Sequence, residues 1–451
     1  MKTPFLTQPY LLSLNPAHEM SVVWLQQERG ECRVEYGSED GFHQIVNCSE
    51  YRISGLRAPA DPDRGYAPTP EENPPLIVWQ YIAVIPDLKS GQHIRYRCLS
   101  DGYSSPVYDF FAAPDKEEPF RFALMSDLQG IPPCEETVRR IGREKCDFLL
   151  YSGDLNWLSW RADKWFDMDM PYQTADERLR SFFPCMQQEG IRMMQYCPTF
   201  LCPGNHEVDD LRVGMDREFA KDDSHWSCSI YMQLFRPLYP KQEYGLEGER
   251  WYTARWGDLQ IFSLSVVRWA QWDAYEAPGW KMLNDISPDS PQIRWLRSEL
   301  SRSDAKFKWV IHHWHLLNKG SDVQPALCPP VMDENGQIAY PADYGTGVLM
   351  PLYEQYGVNG VSYGHSHVYE RYCVNGVHYI EAAYMAVCYR EPNAALHPAG
   401  FRPIVENNDF RSYAIVDRRM NGLFATGHRA EGEPYIFDEY QLADADGKPV
   451  I

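Results

Sequence analysis

Five short clusters of aspartate, asparagine, histidine and their neighbours punctuate this sequence, most of them directly after an apolar run. In chain order they are Ser126-Asp127-Leu128-Gln129, Gly153-Asp154-Leu155-Asn156-Trp157, Gly204-Asn205-His206-Glu207, Val310-Ile311-His312-His313 and Gly364-His365-Ser366-His367. Carboxylates, amides and imidazoles are ligands for divalent cations, and Mn, Zn and Fe all suit such a mixture. Two cations about 3.5–4 Å apart need one carboxylate that bridges them and further ligands on each side. Asp154 is the best candidate for the bridge. Water held by such a pair has its pKa lowered towards neutrality and can attack phosphorus in line with a leaving oxygen. The chemistry expected is therefore metal-assisted hydrolysis with a metal-bound hydroxide as nucleophile. The glycines before Asp154, Asn205 and His365 permit tight turns that aim those side chains at a common point. A purely structural metal fits poorly, because an asparagine ligand and a site assembled from separate loops are unlike closed Cys/His sites.

Bringing together residues from Asp127 to His367 requires strands whose ends converge, as they do in α/β sheets. The apolar runs Phe122-Ala123-Leu124-Met125 and Phe148-Leu149-Leu150-Tyr151 flank a helical stretch around Glu135 to Lys145. The run Leu259 to Leu264, a helix over Ser290 to Ser301 and a strand over Lys308 to Ile311 repeat that grammar. A helix over Leu349 to Tyr356 then precedes a strand over Gly360 to Tyr363. Ser412 to Val416 and Leu423 to Thr426 flank Arg419-Met420-Asn421-Gly422 as a closing hairpin. Upstream the rhythm differs: short β-branched and aromatic runs at Ser21 to Leu25, Cys32 to Tyr36, Ile77 to Ile82 and Ile94 to Cys98 predict an antiparallel sandwich. Residues 58–75 carry six prolines and read as an exposed loop. Ala112 to Pro119 is polar, carries prolines and reads as a linker, dividing the chain into residues 1–115 and 116–451. No internal repeat is visible.

The bulk numbers bound the partners. At 451 residues two or three domains are expected, from a prior of roughly one per 100–200 residues. Lys plus Arg at 43 against Asp plus Glu at 63 gives a net charge of −20, which opposes binding to nucleic acid. The sequence has no apolar run of the roughly 18 residues that a membrane span takes. Met1 to Leu6 shows no secretory leader, although a chain trimmed of its leader would look the same. The 12 cysteines are scattered with no CxxC pair, as expected of reduced thiols in a cytoplasmic protein, and Cys202 reads as core filler.

Taken in order, the five clusters resemble those of the calcineurin-like metallophosphoesterases, and within them look most like the purple acid phosphatase branch. A GHxH or a GNHE alone is moderately specific, but the ordered set is strong. Trp251 through Asp258, Trp295-Leu296 and Gly364 through Arg371 add to the likeness. It covers nearly the whole chain, since that branch sets a fibronectin type III-like sandwich before its catalytic domain. The implied fold is an all-β sandwich followed by an α/β metallophosphoesterase domain, a β-sandwich core flanked by helices in four αββα layers. The resemblance implies two divalent metal ions, with Asp127, Asp154 and His367 on the first and Asp154, Asn205, His313 and His365 on the second. It makes His206 the residue that binds a phosphate oxygen or protonates the leaving group. A blander role for His206 is a hydrogen bond that holds Asp127.

Three departures and one ambiguity bear on the carry-over. Trp157 stands where that branch has a ligating tyrosine, so the purple charge-transfer colour should be absent and Mn, Zn or ferrous iron becomes the expected occupant. Gln129 stands where other branches have histidine, and either ligation of the first metal or a hydrogen bond suits it. Aligning His313-Trp314-His315-Leu316-Leu317-Asn318 with the family's text selects His313 as the ligand, and strand alternation puts His312 on the other face as a packing residue. His315 replaces the family proline and either lines the substrate pocket or fills space.

Trp157, Trp160, Trp165, Phe166 and the segment Lys319 to Gly347 are candidates for pocket walls or a lid, with core packing and a plain surface loop as the competing readings. Asp209 and Asp210 read as solvated. The leading expectation is a phosphomonoesterase acting on a small phosphorylated substrate. A phosphodiesterase on the same metals is the nearest rival, and an inactive binding protein using its sandwich domain is the alternative of a different class. No protein partner is indicated.

Overall fold

A computed structural model of the protein describes residues 3–53, 78–114, 117–157, 163–166, 169–172, 174–207, 229–240, 249–270, 280–282, 284–317, 320–321, 324–325, 330–335, 337–340, 343–382 and 402–450. The proline-rich stretch 58–75, the junction at 115–116, Trp160, Asp209 and Asp210 lie outside them.

The N-terminal strands are β1 (Tyr10–Leu12), β2 (Met20–Gln26), β3 (Cys32–Ser38), β4 (Gly41–Asn47), β5 (Ser49–Ile53), β6 (Val78–Ile85), β7 (His93–Ser100), β8 (Tyr103–Ser104) and β9 (Tyr108–Phe111). They form two sheets, β1-β2-β6-β5 and β4-β3-β7-β8, with β9 also on β7. In β7 every second residue is buried, and Ile94, Tyr96 and Cys98 meet Val22, Trp24 and Tyr81 across the sandwich. Strand β2 is buried on both faces, which is why it reads as a nearly unbroken apolar run. Its second face, with Tyr10, Leu12, Val23 and Leu25, joins the core of the rest of the chain.

The remainder comprises β10 (Phe120–Met125), α1 (Cys134–Arg143), β11 (Phe148–Tyr151), α2 (Asp163–Phe166), β12 (Asp169–Tyr172), β13 (Thr174–Arg180), α3 (Phe182–Met186), β14 (Thr199–Leu201), α4 (Ser229–Leu234), β15 (Tyr252–Trp256), β16 (Leu259–Ser263), β17 (Arg268–Ala270) and β18 (Trp280–Met282). Then follow α5 (Pro291–Arg302), β19 (Phe307–Ile311), β20 (Gly320–Ser321), β21 (Gln324–Pro325), β22 (Val331–Met332), β23 (Ile338–Ala339), α6 (Thr346–Gln355), β24 (Gly360–Tyr363), β25 (Tyr369–Val374), β26 (Val377–Ala382), β27 (Val405–Asn407), β28 (Ser412–Arg419), β29 (Gly422–Arg429) and β30 (Ile436–Asp444). Two large sheets result, β14-β11-β10-β28-β29-β30 and β15-β16-β19-β24-β26-β25-β27. The other eight strands make four small hairpins, two of them within the segment 319–347.

The large sheets face one another. Phe122 meets Trp309 edge-on at 5.2 Å and Phe148 lies 5.0 Å from Trp256, ring centre to ring centre. Helices cover the outer faces: Phe182 of α3 packs on Tyr151, while α5 and α6 bury Ile293, Leu296, Leu349 and Tyr353 with Phe262, Val310 and Val361. Two buried ion pairs tie sheet to sheet. Arg371 of β25 grips Asp438 of β30 at 2.7 and 2.9 Å, and Arg418 of β28 grips Asp258, in the turn from β15 to β16, at 2.8 Å. No helix of the described residues is long and apolar enough to cross a membrane. Strands β10, β11 and β14 run parallel, as do β16, β19, β24 and β26, so the five clusters emerge from the same ends of their strands.

Candidate metal centre

Strands β10, β11, β14, β19 and β24 each end just before one cluster, and the five loops meet in the interior. One oxygen of Asp154 and one nitrogen each of His313 and His365 lie within 4.8 Å of one another. A second group, Asp127, Asp154 and His367, satisfies the same limit. Asp154 belongs to both, and all five residues are buried. Asn205 joins the first group: its Oδ1 is 2.9 Å from His313 Nε2 and 2.7 Å from His365 Nδ1. Two oxygen and nitrogen donor sets that share one carboxylate fit a pair of divalent cations.

The orientation of each donor has a cause. His313 Nδ1 donates to the Ser152 carbonyl at 2.8 Å, which leaves Nε2 and its lone pair facing Asn205 and Asp154. The Asp127 carboxylate accepts the His365 N–H at 3.0 Å and the Ser126 hydroxyl, and His367 Nε2 stands 3.2 Å from its Oδ1. Burial alone would raise the Asp154 carboxyl, but the imidazoles of His313 and His206 hold it well below the usual carboxylate range. Burial opposes a charge on His313, yet Asp154 beside it outweighs this and raises the imidazole to about 10. A cation bound by Nε2 would take the place of the proton that Asp154 favours there.

Gln129 reaches the second group: its Nε2 donates to Asp154 Oδ2 at 3.1 Å and lies 3.3 Å from His367 Nε2. Its Oε1 is buried without a hydrogen-bond partner, and a half-turn of the amide would present that oxygen instead. His206 differs from its blander expected role. Its backbone N–H and its ring both approach Asp154 rather than Asp127, the N–H at 2.9 Å from Oδ1 and Nε2 at 3.7 Å from Oδ2. Nδ1 donates to the Trp157 carbonyl at 2.7 Å, and the indole lies against the imidazole at 5.0 Å. His312 stacks on Tyr363 behind the sheet, where burial pushes its pKa down to about 3, so it is the packing residue expected from strand alternation. His315 is buried with its ring 5.4 Å from that of His365, which places it beside the centre. Trp165 and Phe166 pack with Phe182, Phe183 and Phe235 as core, and Cys202 is core filler one residue past β14.

Glu207 is a residue whose role the sequence did not disclose. Its buried carboxylate accepts the backbone N–H groups of Asp154 at 2.7 Å, Leu155 at 2.8 Å and Gly204 at 2.8 Å, and so ties the second loop to the third. Its place at the end of GNHE was the available signal, but spacing does not reveal which N–H groups a carboxylate will meet. The glycines also act differently from expectation. Gly153 does adopt φ +85°, a turn geometry, but Gly204 and Gly364 are needed for close approach: a Cβ would strike Asp154 at the former and Ser126 and Asp127 at the latter. The left-handed backbone falls on the site residues themselves: φ is 53° at Asp127, 48° at Gln129, 56° at Asp154, 81° at His365 and 58° at His367.

The chain belongs to the calcineurin-like phosphoesterase family, whose sequence model matches residues 120–369, more than half of its length. The uncharacterized protein Rv2577 of Mycobacterium tuberculosis H37Rv is 28% identical over 286 residues, which is 60% of this chain and 46% of that protein. The chain thus spans about half the length of the curated relatives it matches. Among solved structures, purple acid phosphatase PPD1 from yellow lupin (Lupinus luteus) seeds superposes with a TM-score of 0.65 at 16% identity, covering 96% of this chain and 73% of that one. PhoD superposes with a TM-score of 0.61 at 12% identity, covering 97% and 90%. At those identities the likeness is one of fold.

Proposed function

We propose that this protein hydrolyses small phosphate monoesters at a centre of two divalent metal ions. The observation that carries the reading is the pair of buried ligand groups with Asp154 in common. Asp127, Asp154 and His367 would hold one ion, with Gln129 beside them, and Asp154, Asn205, His313 and His365 the other. Such a pair, when bound, supplies Lewis acidity and activates water at neutral pH. The chain's own residues bind and orient. Asp154 is held from behind by Glu207, so its carboxylate keeps one position between the groups. His206, fixed by the Trp157 carbonyl and indole, directs Nε2 towards the centre, where an imidazolium would bind a phosphate oxygen or hand a proton to the leaving oxygen. His315, beside His365, is placed to border the substrate. We read residues 1–115 as a fibronectin type III-like sandwich and 116–451 as the catalytic domain; the two-sheet arrangement of β1 to β9 supports this.

The test is hydrolysis of a nitrophenyl phosphate monoester and the matching diester by metal-free protein reconstituted separately with Mn, Zn and ferrous iron, with Asp154→Asn alongside. Metal-dependent turnover that the variant loses, with the monoester favoured, is the expected result. Preference for the diester would transfer the reading to a phosphodiesterase. Failure of fully metallated protein on both compounds would overturn the reading as a general phosphatase.

A further inference from the structure

Strands β24 and β25 do not pair with each other, because β26 lies between them. The segment Gly364 to Val368, which joins β24 to β25, must therefore pass over the end of β26. Glu381, the last residue but one of that strand, sits at this end, level with Tyr363 on one side and Glu370 on the other. A glutamate is out of place in a strand whose six residues are all buried, and its own side chain is fully covered. Its Oε1 accepts the backbone N–H of Ser366 at 2.8 Å and also the Ser366 hydroxyl. Ser366 is the residue between His365 and His367, and these two histidines belong to different ligand groups. Both are in the left-handed region, which a histidine keeps only where its surroundings impose it.

We propose that Glu381 is a positioning residue that sets the spacing between the two halves of the metal centre by fixing the residue that links them. The inference rests on the two-metal reading above. Hydrogen bonds to a carboxylate are stronger than those to a neutral acceptor, and two of them on one residue hold both its backbone and its side chain. A lost ligand weakens the ion it binds. A lost Glu381 frees the whole Gly364 to Val368 segment and weakens both ions together.

The experiment is calorimetric titration of Mn into metal-free, full-length protein, for the wild type, Glu381→Leu, Glu381→Gln, Ser366→Ala and Asp154→Asn. Glu381→Leu is expected to weaken both binding steps by about 10–100-fold, the usual range for a lost partner of a ligand. Its kcat should recover in excess Mn with KM unchanged, a split that a general loss of structure would not give. Glu381→Gln, whose amide oxygen still accepts from the Ser366 N–H, should fall between, and Ser366→Ala, which keeps that backbone bond, should lose least. Wild-type affinity in Glu381→Leu, or weakening of one step alone, overturns the inference. Should thermal melting show Glu381→Leu unfolded, unchanged Mn binding in both Glu381→Gln and Ser366→Ala overturns it equally. A wild type that takes up fewer than two Mn ions, or an Asp154→Asn variant that binds like wild type, removes the two-metal reading and this inference with it.

Discussion

Asp154 is held at its backbone N–H by one residue and at its carboxylate by others. Glu207 takes the backbone N–H, while the carboxylate receives Gln129, the His206 N–H and the approach of His313. These contacts fix its position, which is the condition for a carboxylate shared by two donor groups to take up a cation without reorganising. Glu207→Gln tests the backbone half of that support. The variant keeps the shape but turns one acceptor oxygen into an N–H donor, aimed at N–H groups that have lost their partner. Metal affinity is expected to fall about 10–100-fold, read by competition with a chelating dye. Affinity within twofold of wild type would show that Glu207 holds only the loop and not the ligand.

At the scale of elements, much of the scaffold was legible. Phe148–Tyr151 and Gly360–Tyr363 were read to the residue, and the helix over Ser290 to Ser301 came within one, its Ser290 accepting the Ile293 N–H as an N-cap. These runs are buried on both faces or carry a clear start signal. Strands β4 and β5 were not seen, because most of their residues are exposed or half-exposed and no apolar alternation marks them. Strand β30 escaped for the same reason. The residues of the two buried donor groups were legible because each cluster is local in sequence, whereas the partners of Glu207 and Glu381 depend on strand order. The packing of β9 against the segment around Arg192 was likewise hidden. There Arg192 binds Asp109 through two hydrogen bonds of 3.1 and 3.0 Å, with His93 behind. Burial would raise the Asp109 carboxyl, but Arg192 and His93 together outweigh it and hold it below the usual range. A depressed carboxyl adds stability above its unfolded pKa of about 3.9, and that contribution is lost as pH falls through the lower folded value. Wild-type melting temperatures should accordingly drop more steeply than those of Asp109→Asn as pH falls below about 4. Parallel curves would mean that the contact contributes nothing.

On the scale of the whole molecule, two large sheets enclose one core, and the sandwich adds its own strands to that core through Tyr10, Val23 and Leu25. The ion pairs Arg371–Asp438 and Arg418–Asp258 lie between the sheets and are shielded from water. Breaking such a pair leaves a buried charge alone, which costs about 3–5 kcal/mol. Asp258→Asn should therefore lower the unfolding free energy by roughly that amount in urea titrations. A loss below about 1 kcal/mol would show that water reaches Arg418 once its partner is gone.

The left-handed backbone at Asp127, Gln129, Asp154, His365 and His367 has a consequence for how this protein can change over generations. Each such residue is held in a conformation that costs of order 1–3 kcal/mol and that glycine would adopt freely. A lineage selected for heat resistance alone, with no demand for turnover, would find relief at these same positions. The residues of the two buried donor groups would be among the earliest to go. The proposed metal centre is thus the demand that would keep them against a standing pull towards stability.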